Sequence, residues 1–223
     1  MKIAILLTTL ALSLPAQTRT SAQPDLMMKY QSARGFFESV WKNAFARYGV
    51  TYVGPKYAEF TTPTGPCNGP PPAYYCSTDD TIYYQRAMLV EIQNAAAARL
   101  GTDGDYAALV ILAHELGHAV AFRLKDITPF SEYRENRADC MAGVATREAA
   151  RTKALDPGDY QEAIFAMAIA GQQGIRTLID PRTHGSPEQR VTNFKAGYER
   201  GPSACDLDII FRRFKEGSTP KTR

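Results

Sequence analysis

The stretch from Tyr106 to Phe122 constrains this chain more than any other. It is largely apolar, and its polar residues gather in one place, as His114, Glu115 and His118 in the order His-Glu-Leu-Gly-His. Leu109, Leu112, Ala113, Leu116 and Val120 recur at three- and four-residue spacing, which predicts a helix with an apolar face. Histidines four apart on a helix lie one turn apart on the same face, so His114 and His118 can pinch one metal ion. Glu115 falls about 100° round the axis. From there its carboxylate reaches a water on such an ion rather than the ion itself. This H-E-x-x-H arrangement is the signature of zinc hydrolases whose glutamate acts as the general base. The competing reading is a helix with two surface histidines. Against it, the chain has only three histidines, and two of them stand in this pattern. Gly117 costs a helix about 1 kcal/mol relative to alanine, which predicts a neighbour packed close against that turn.

A catalytic zinc takes three protein ligands and leaves its fourth position to water. The next predicted helix, reaching to about Ala150, offers Glu135 and Asp139, four apart and therefore on one face. That spacing predicts a division of labour. Glu135 would bind the metal, and Asp139 would accept the free N–H of a ligand histidine, fixing its tautomer. Glu132 is the rival third ligand. The plainer alternative is a solvated charged face, with Glu135 near Arg134 and Asp139 near Arg137.

Three motifs in one order make the pattern more specific. His-Glu-Leu-Gly-His at 114–118 is followed by Glu-Asn-Arg-Ala-Asp-Cys at 135–140 and His-Gly-Ser-Pro-Glu-Gln-Arg at 184–190. Upstream stand Pro72-Ala73-Tyr74-Tyr75-Cys76, Ile82-Tyr83-Tyr84 and Gly104-Asp105-Tyr106-Ala107. Over roughly residues 60 to 205 the chain resembles the bacterial family described as putative neutral zinc metallopeptidases. The resemblance implies a zincin-like fold, one Zn2+ held by His114, His118 and Glu135, Glu115 as catalytic acid/base, and a peptide or protein substrate. One departure from the expected pattern is Ala119-Val120 after the second histidine, where many relatives are expected to carry a bulkier, more polar residue. A zinc hydrolase also needs a group that stabilises the oxyanion. His184, the only histidine outside the helix motif, is the candidate catalytic residue for this, with Tyr133 and Arg190 as further candidates.

The N-terminus reads as a secretory signal: Lys2, an apolar run Ile3–Leu14, then small residues, with cleavage favoured after Ala22. Residues 1–22 are thus expected to be a signal peptide and 23–223 the metallopeptidase domain, exported to the periplasm or secreted. The alternative is an uncleaved N-terminal anchor, the one way in which a membrane would be involved. The remainder is long enough for one domain with a real core. A net charge of +3 with no basic stripe, no phosphate-binding glycine loop and no internal repeat excludes a nucleic-acid or nucleotide reading.

The four cysteines form an even set, which in an exported chain argues for bridges. Cys67–Cys76 is expected because the pair brackets a short Pro/Gly-rich loop. Cys140–Cys205 then ties the C-terminal segment to the Glu135 helix. The remaining elements are predicted as a helix over 25–48 with Phe36, Phe37, Val40, Trp41, Ala44 and Phe45 as its stripe, strand character over 50–62, and a strand at 81–84. Further helices are predicted at 85–100, from the turn or cap at 156–159 to 172 (burying Ile164, Phe165, Ala168 and Ile169) and at 187–198, with a fraying tail beyond Phe214. The fold class is α+β: a mainly helical single domain with a small sheet beside the motif helix. The strand at 81–84 has two readings: an edge strand along the cleft, where an extended peptide could pair with it, or an ordinary internal strand. Two other functions fit the same residues: a zinc-stabilised binding module that does not cleave, and hydrolysis of a non-peptide amide.

Overall fold

The computed structural model describes residues 26–62, 65–126, 131–171 and 185–218. Its elements run α1 (Leu26–Arg47), β1 (Lys56–Glu59), β2 (Ala73–Cys76), β3 (Thr81–Tyr84), α2 (Arg86–Leu100), α3 (Asp105–Arg123), α4 (Ser131–Arg151), α5 (Asp159–Gly171), α6 (Pro187–Arg200), a 3-10 turn (Gly201–Cys205) and α7 (Leu207–Ser218). The expected class holds: a mainly helical α+β chain with one small sheet.

The motif helix α3 is the hub. It is buried on nearly every side, from Asp105 through Val110 and again from Leu112 through Gly117. The one-sided apolar face expected for it is therefore too narrow. A helix apolar all round belongs in the interior, and α3 packs against α1, α2, α4, α5 and β2. Gly117 explains how α4 comes so close, since a Cβ there would lie 3.0 Å from the Ala138 Cα. The crossing of α4 and α6 is tighter still. A Cβ on Gly143 would sit 2.0 Å from the Phe194 carbonyl oxygen, and one on Gly197 would sit 1.9 Å from that of Cys140. Only glycine lets those backbones meet. The N-terminus of α6 is closed by a capping box: Ser186 Oγ accepts from the Gln189 N–H, Gln189 Oε1 accepts from the Ser186 N–H, and Pro187 begins the helix.

The sheet has the order β1-β3-β2. β3 runs parallel to β1, pairing Thr81 with Lys56, and antiparallel to β2, pairing Tyr84 with Ala73. Of the two readings of 81–84, the edge along the cleft is therefore corrected. β3 is central, and β2 is the edge facing α3. Strand character over 50–62 narrows to Lys56–Glu59. In α1 the predicted stripe is buried at Phe37, Trp41 and Phe45 but only partly at Phe36, Val40 and Ala44. In α5 the buried face is Glu162, Ala163, Ala166 and Met167, and the expected Ile164, Phe165, Ala168 and Ile169 are half-buried. The helix is turned so that Ala163 and Ala166, with Glu162 and Met167 beside them, face the interior.

Both expected disulfides are present, Cys67–Cys76 and Cys140–Cys205. The second joins α4 to the 3-10 turn. Among the described residues no helix is long and apolar enough to cross a membrane. The expected signal segment 1–22 and His184 lie outside the described residues; of the tail expected to fray beyond Phe214, residues 215–218 instead continue α7, and the rest also lies outside them.

Candidate metal centre and cleft

α3 presents His114 and His118 one turn apart, with their Nε2 atoms 3.1 Å from each other. α4, drawn in over Gly117, brings Glu135 to the same point. Its Oε2 lies 3.2 Å from His114 Nε2 and its Oε1 3.3 Å from His118 Nε2. These three residues form a group able to hold a metal ion. The spacing suits zinc. Ligands at 2.0–2.1 Å on a tetrahedron stand roughly 3.3 Å apart, close to the three separations here. Two imidazoles and one carboxylate also make the donor set of a catalytic rather than a structural zinc site.

Behind His114 stands Asp139, fully buried, with Oδ1 2.8 Å from His114 Nδ1. This contact directs Nε2 towards the metal position, as anticipated from the Glu135–Asp139 spacing. Burial alone would raise the Asp139 carboxyl. Arg190 and His114 outweigh it and hold it below the usual range. For His114 burial acts downward, but Asp139 and Glu135 prevail and push the imidazole up to about 10. A metal ion must displace that proton to bind.

Arg190 is where the structure departs most from the reading of the chain. Considered there as an oxyanion donor, it is instead buried on α6 and bidentate on Asp139, through Nε to Oδ2 at 3.0 Å and Nη2 to Oδ1 at 2.7 Å. One sequence signal points to this: Arg190, Phe194 and Gly197 share the buried face of α6, and a charge on a buried face demands a partner. The charged-face alternative for α4 also fails, because Arg137 pairs with Asp126 at 3.0 Å rather than with Asp139. Glu132, the rival ligand, is exposed and accepts from Gln189 Nε2 at 2.7 Å, away from the histidines. Tyr133 is 61% exposed.

Glu115 is buried beside the pair, and its Oε2 accepts the Tyr75 N–H of β2 at 2.8 Å. Burial pushes its carboxyl up, against the pull of His114 and His118. This link between the helix and the sheet edge has no signature in the sequence beyond the Pro72–Cys76 stretch. The centre opens into a cleft of about 400 Å3. One wall is apolar, with Met88, Ile92, Ile111, Ala166, Met167 and Ile169. Residues 70–75 and Arg134 also line the cleft.

The family model described as "Putative neutral zinc metallopeptidase" matches residues 13–128 and 123–207. Uncharacterized protein YpfJ of Escherichia coli (strain K12) is 30% identical over 199 residues, covering 76% of this chain and 67% of the relative. Uncharacterized protein Rv2575 of Mycobacterium tuberculosis is 26% identical over 221 residues, covering 86% of this chain and 74% of the relative. No solved structure matches. The order of motifs, the grouping of His114, His118 and Glu135, and the match along both halves agree: the chain belongs to the family of putative neutral zinc metallopeptidases.

Proposed function

We propose that the chain is an exported zinc metalloendopeptidase in which His114, His118 and Glu135 hold one Zn2+ and Glu115 is the general base. The observation that carries this reading is the convergence of those three donors at zinc-like spacing with a buried glutamate beside them. When bound, the zinc supplies a water of lowered pKa and polarises the scissile carbonyl. Glu115 would take a proton from that water as its oxygen bonds to the carbonyl carbon, and would return it to the amine as the C–N bond breaks. The Tyr75 N–H fixes one oxygen of Glu115, so the carboxylate is oriented before substrate arrives. Asp139 holds the His114 tautomer, and Arg190 holds Asp139.

β2 supports a peptide as substrate. The Gln85 N–H bonds the Pro72 carbonyl at 2.7 Å. Alternation along an antiparallel pair then turns the backbone groups of Ala73 and Tyr75 away from β3 and towards the cleft. The Tyr75 N–H serves Glu115. The Ala73 N–H and C=O and the Tyr75 C=O remain for an extended chain, which would add as a further strand. His184 stays the proposed oxyanion donor: His184→Ala is expected to lower kcat by ~10²-fold with zinc retained. The two disulfides favour an oxidising compartment, and residues 1–22 are read as the export signal that takes the domain 23–223 there.

The deciding experiment is cleavage of a mixed peptide library by the mature protein beside its Glu115→Gln variant, with cuts read by mass spectrometry and zinc measured in both. Cuts made only by the wild type, with equal zinc, establish the activity. No cuts by either zinc-loaded protein would remove the peptidase reading in favour of a non-peptide amide substrate or a binding module.

A further inference from the structure

A second group of acids gathers where α3 begins, about 13 Å along the helix from His114. Asp103 and Asp105 flank Gly104, whose φ of 74° turns the chain into the helix, while Asp159 and Glu162 lie on the first turn of α5. One oxygen from each of the four lies within 4.8 Å of the others. That is the width of one coordination sphere, since oxygens facing each other across Ca2+ at 2.3–2.6 Å stand roughly 4.6–5.2 Å apart.

The contacts described around this group bring one positive charge to it. Glu162 accepts the Gly104 N–H at 3.0 Å and the Tyr106 N–H at 2.8 Å. Lys29 Nζ lies 3.0 Å from Asp103 and also contacts Asp105. In these contacts one ammonium faces two of the four carboxylates. Asp159 is the acid these contacts leave out. It is only 4% exposed, its Oδ2 takes the Asp156 N–H at 2.8 Å, and its Oδ1 is buried with no hydrogen-bond partner among the described residues. Burial first, then the charges of Asp105, Glu162 and Asp156, push its carboxyl up to about 7. Two of the acids, Asp105 and Asp159, also line a pocket of about 440 Å3, which gives an ion a way in.

We propose that Asp103, Asp105, Asp159 and Glu162 bind a divalent cation of the calcium class, at a site separate from the His114–His118–Glu135 centre. The donors are all carboxylates, which select a hard ion over zinc. Their flexible, unequal environments suit Ca2+, which takes six to eight oxygens and completes its shell with water, better than the strict octahedron of Mg2+. Lys29 acts as the competing cation and swings off Asp105 when the ion enters. The ion joins the start of α3 to the start of α5. Because Ala166, Met167 and Ile169 of α5 wall the cleft, it also steadies that wall.

The test uses the full mature chain, zinc-loaded and free of calcium. Calcium at a hundredfold over its Kd is expected to raise Tm by roughly 5–10 °C. Terbium, sensitised by the neighbouring Tyr106, is expected to luminesce and to be displaced by calcium. Asp159→Asn should melt no lower than wild type without calcium, because it removes a buried repulsion. It should lose at least tenfold in calcium affinity. Asp103→Asn, at a half-exposed position, should weaken binding similarly and serves if the first variant does not fold. Absence of both a Tm shift and terbium luminescence up to roughly 10 mM calcium, beyond the range of weak extracellular sites, would overturn the proposal. So would equal calcium responses in wild type and the folded variants.

Discussion

Asp139 accepts from Arg190 and orients His114 with the same carboxylate. The two roles separate on mutation. Asp139→Asn keeps the shape but loses the charge that orients the imidazole, and zinc affinity should fall 10–100-fold in competition with a chromogenic chelator. Arg190→Met instead strands a buried carboxylate. Removing one partner of a buried pair costs about 3–5 kcal/mol, so a fall of several degrees in Tm is expected, and an unchanged melt would show that Asp139 finds another partner. Asp159 makes a residue-scale pH prediction. Its folded pKa of about 7 lies above the ordinary 3.8, so the folded state holds the proton more tightly. The resulting stabilisation is full below pH ~4 and is lost as pH rises through 7. Melts of calcium-free wild type and Asp159→Asn should therefore diverge with pH, the variant gaining on wild type between pH 5 and 8. Parallel curves would show that Asp159 titrates normally.

At the scale of elements, the centre is assembled by two helix crossings and one strand edge. α3 supplies His114, Glu115 and His118, while α4 reaches them over Gly117 with Glu135 and Asp139. α6 reaches α4 over Gly143 and Gly197 and delivers Arg190. The glycines set those distances. Gly143→Ala would drive a methyl carbon against the Phe194 carbonyl oxygen, and overpacking of this kind costs typically 1–3 kcal/mol. Backbone cannot rotate aside as a side chain does, so the upper end is expected. The measurable result is a Tm lower by roughly 5–10 °C with weakened zinc binding, because α6 and Arg190 move together. Full zinc affinity in the folded variant would mean that Arg190 is not needed to hold the centre.

Across the whole molecule, one core joins all the helices, and the Cys140–Cys205 bridge closes a loop of sequence separation 65 around it. In the chain-entropy model such a loop is worth about 4 kcal/mol. A Cys140→Ala/Cys205→Ala double variant should lose roughly 8–15 °C in Tm and should still cleave at low temperature, since neither cysteine meets the cleft. The sequence by itself determined the helix–motif relation, the α+β class, the cysteine pairs and the pairing of Glu135 with Asp139. The motif faces and the first cysteine pair follow from local spacing: a helix returns to the same face after four residues, and a short loop brings its flanking cysteines, Cys67 and Cys76, together; Cys140–Cys205, 65 apart, is the pair that then remains. Only the tertiary structure decided that β2 rather than β3 forms the edge, that Arg190 serves Asp139, and that Asp103, Asp105, Asp159 and Glu162 meet. Strand order, the partner of a buried charge and the convergence of distant acids depend on which backbones approach each other. No periodicity along the chain encodes that approach, which here depends on glycines at two helix crossings and on the turn that opens α3.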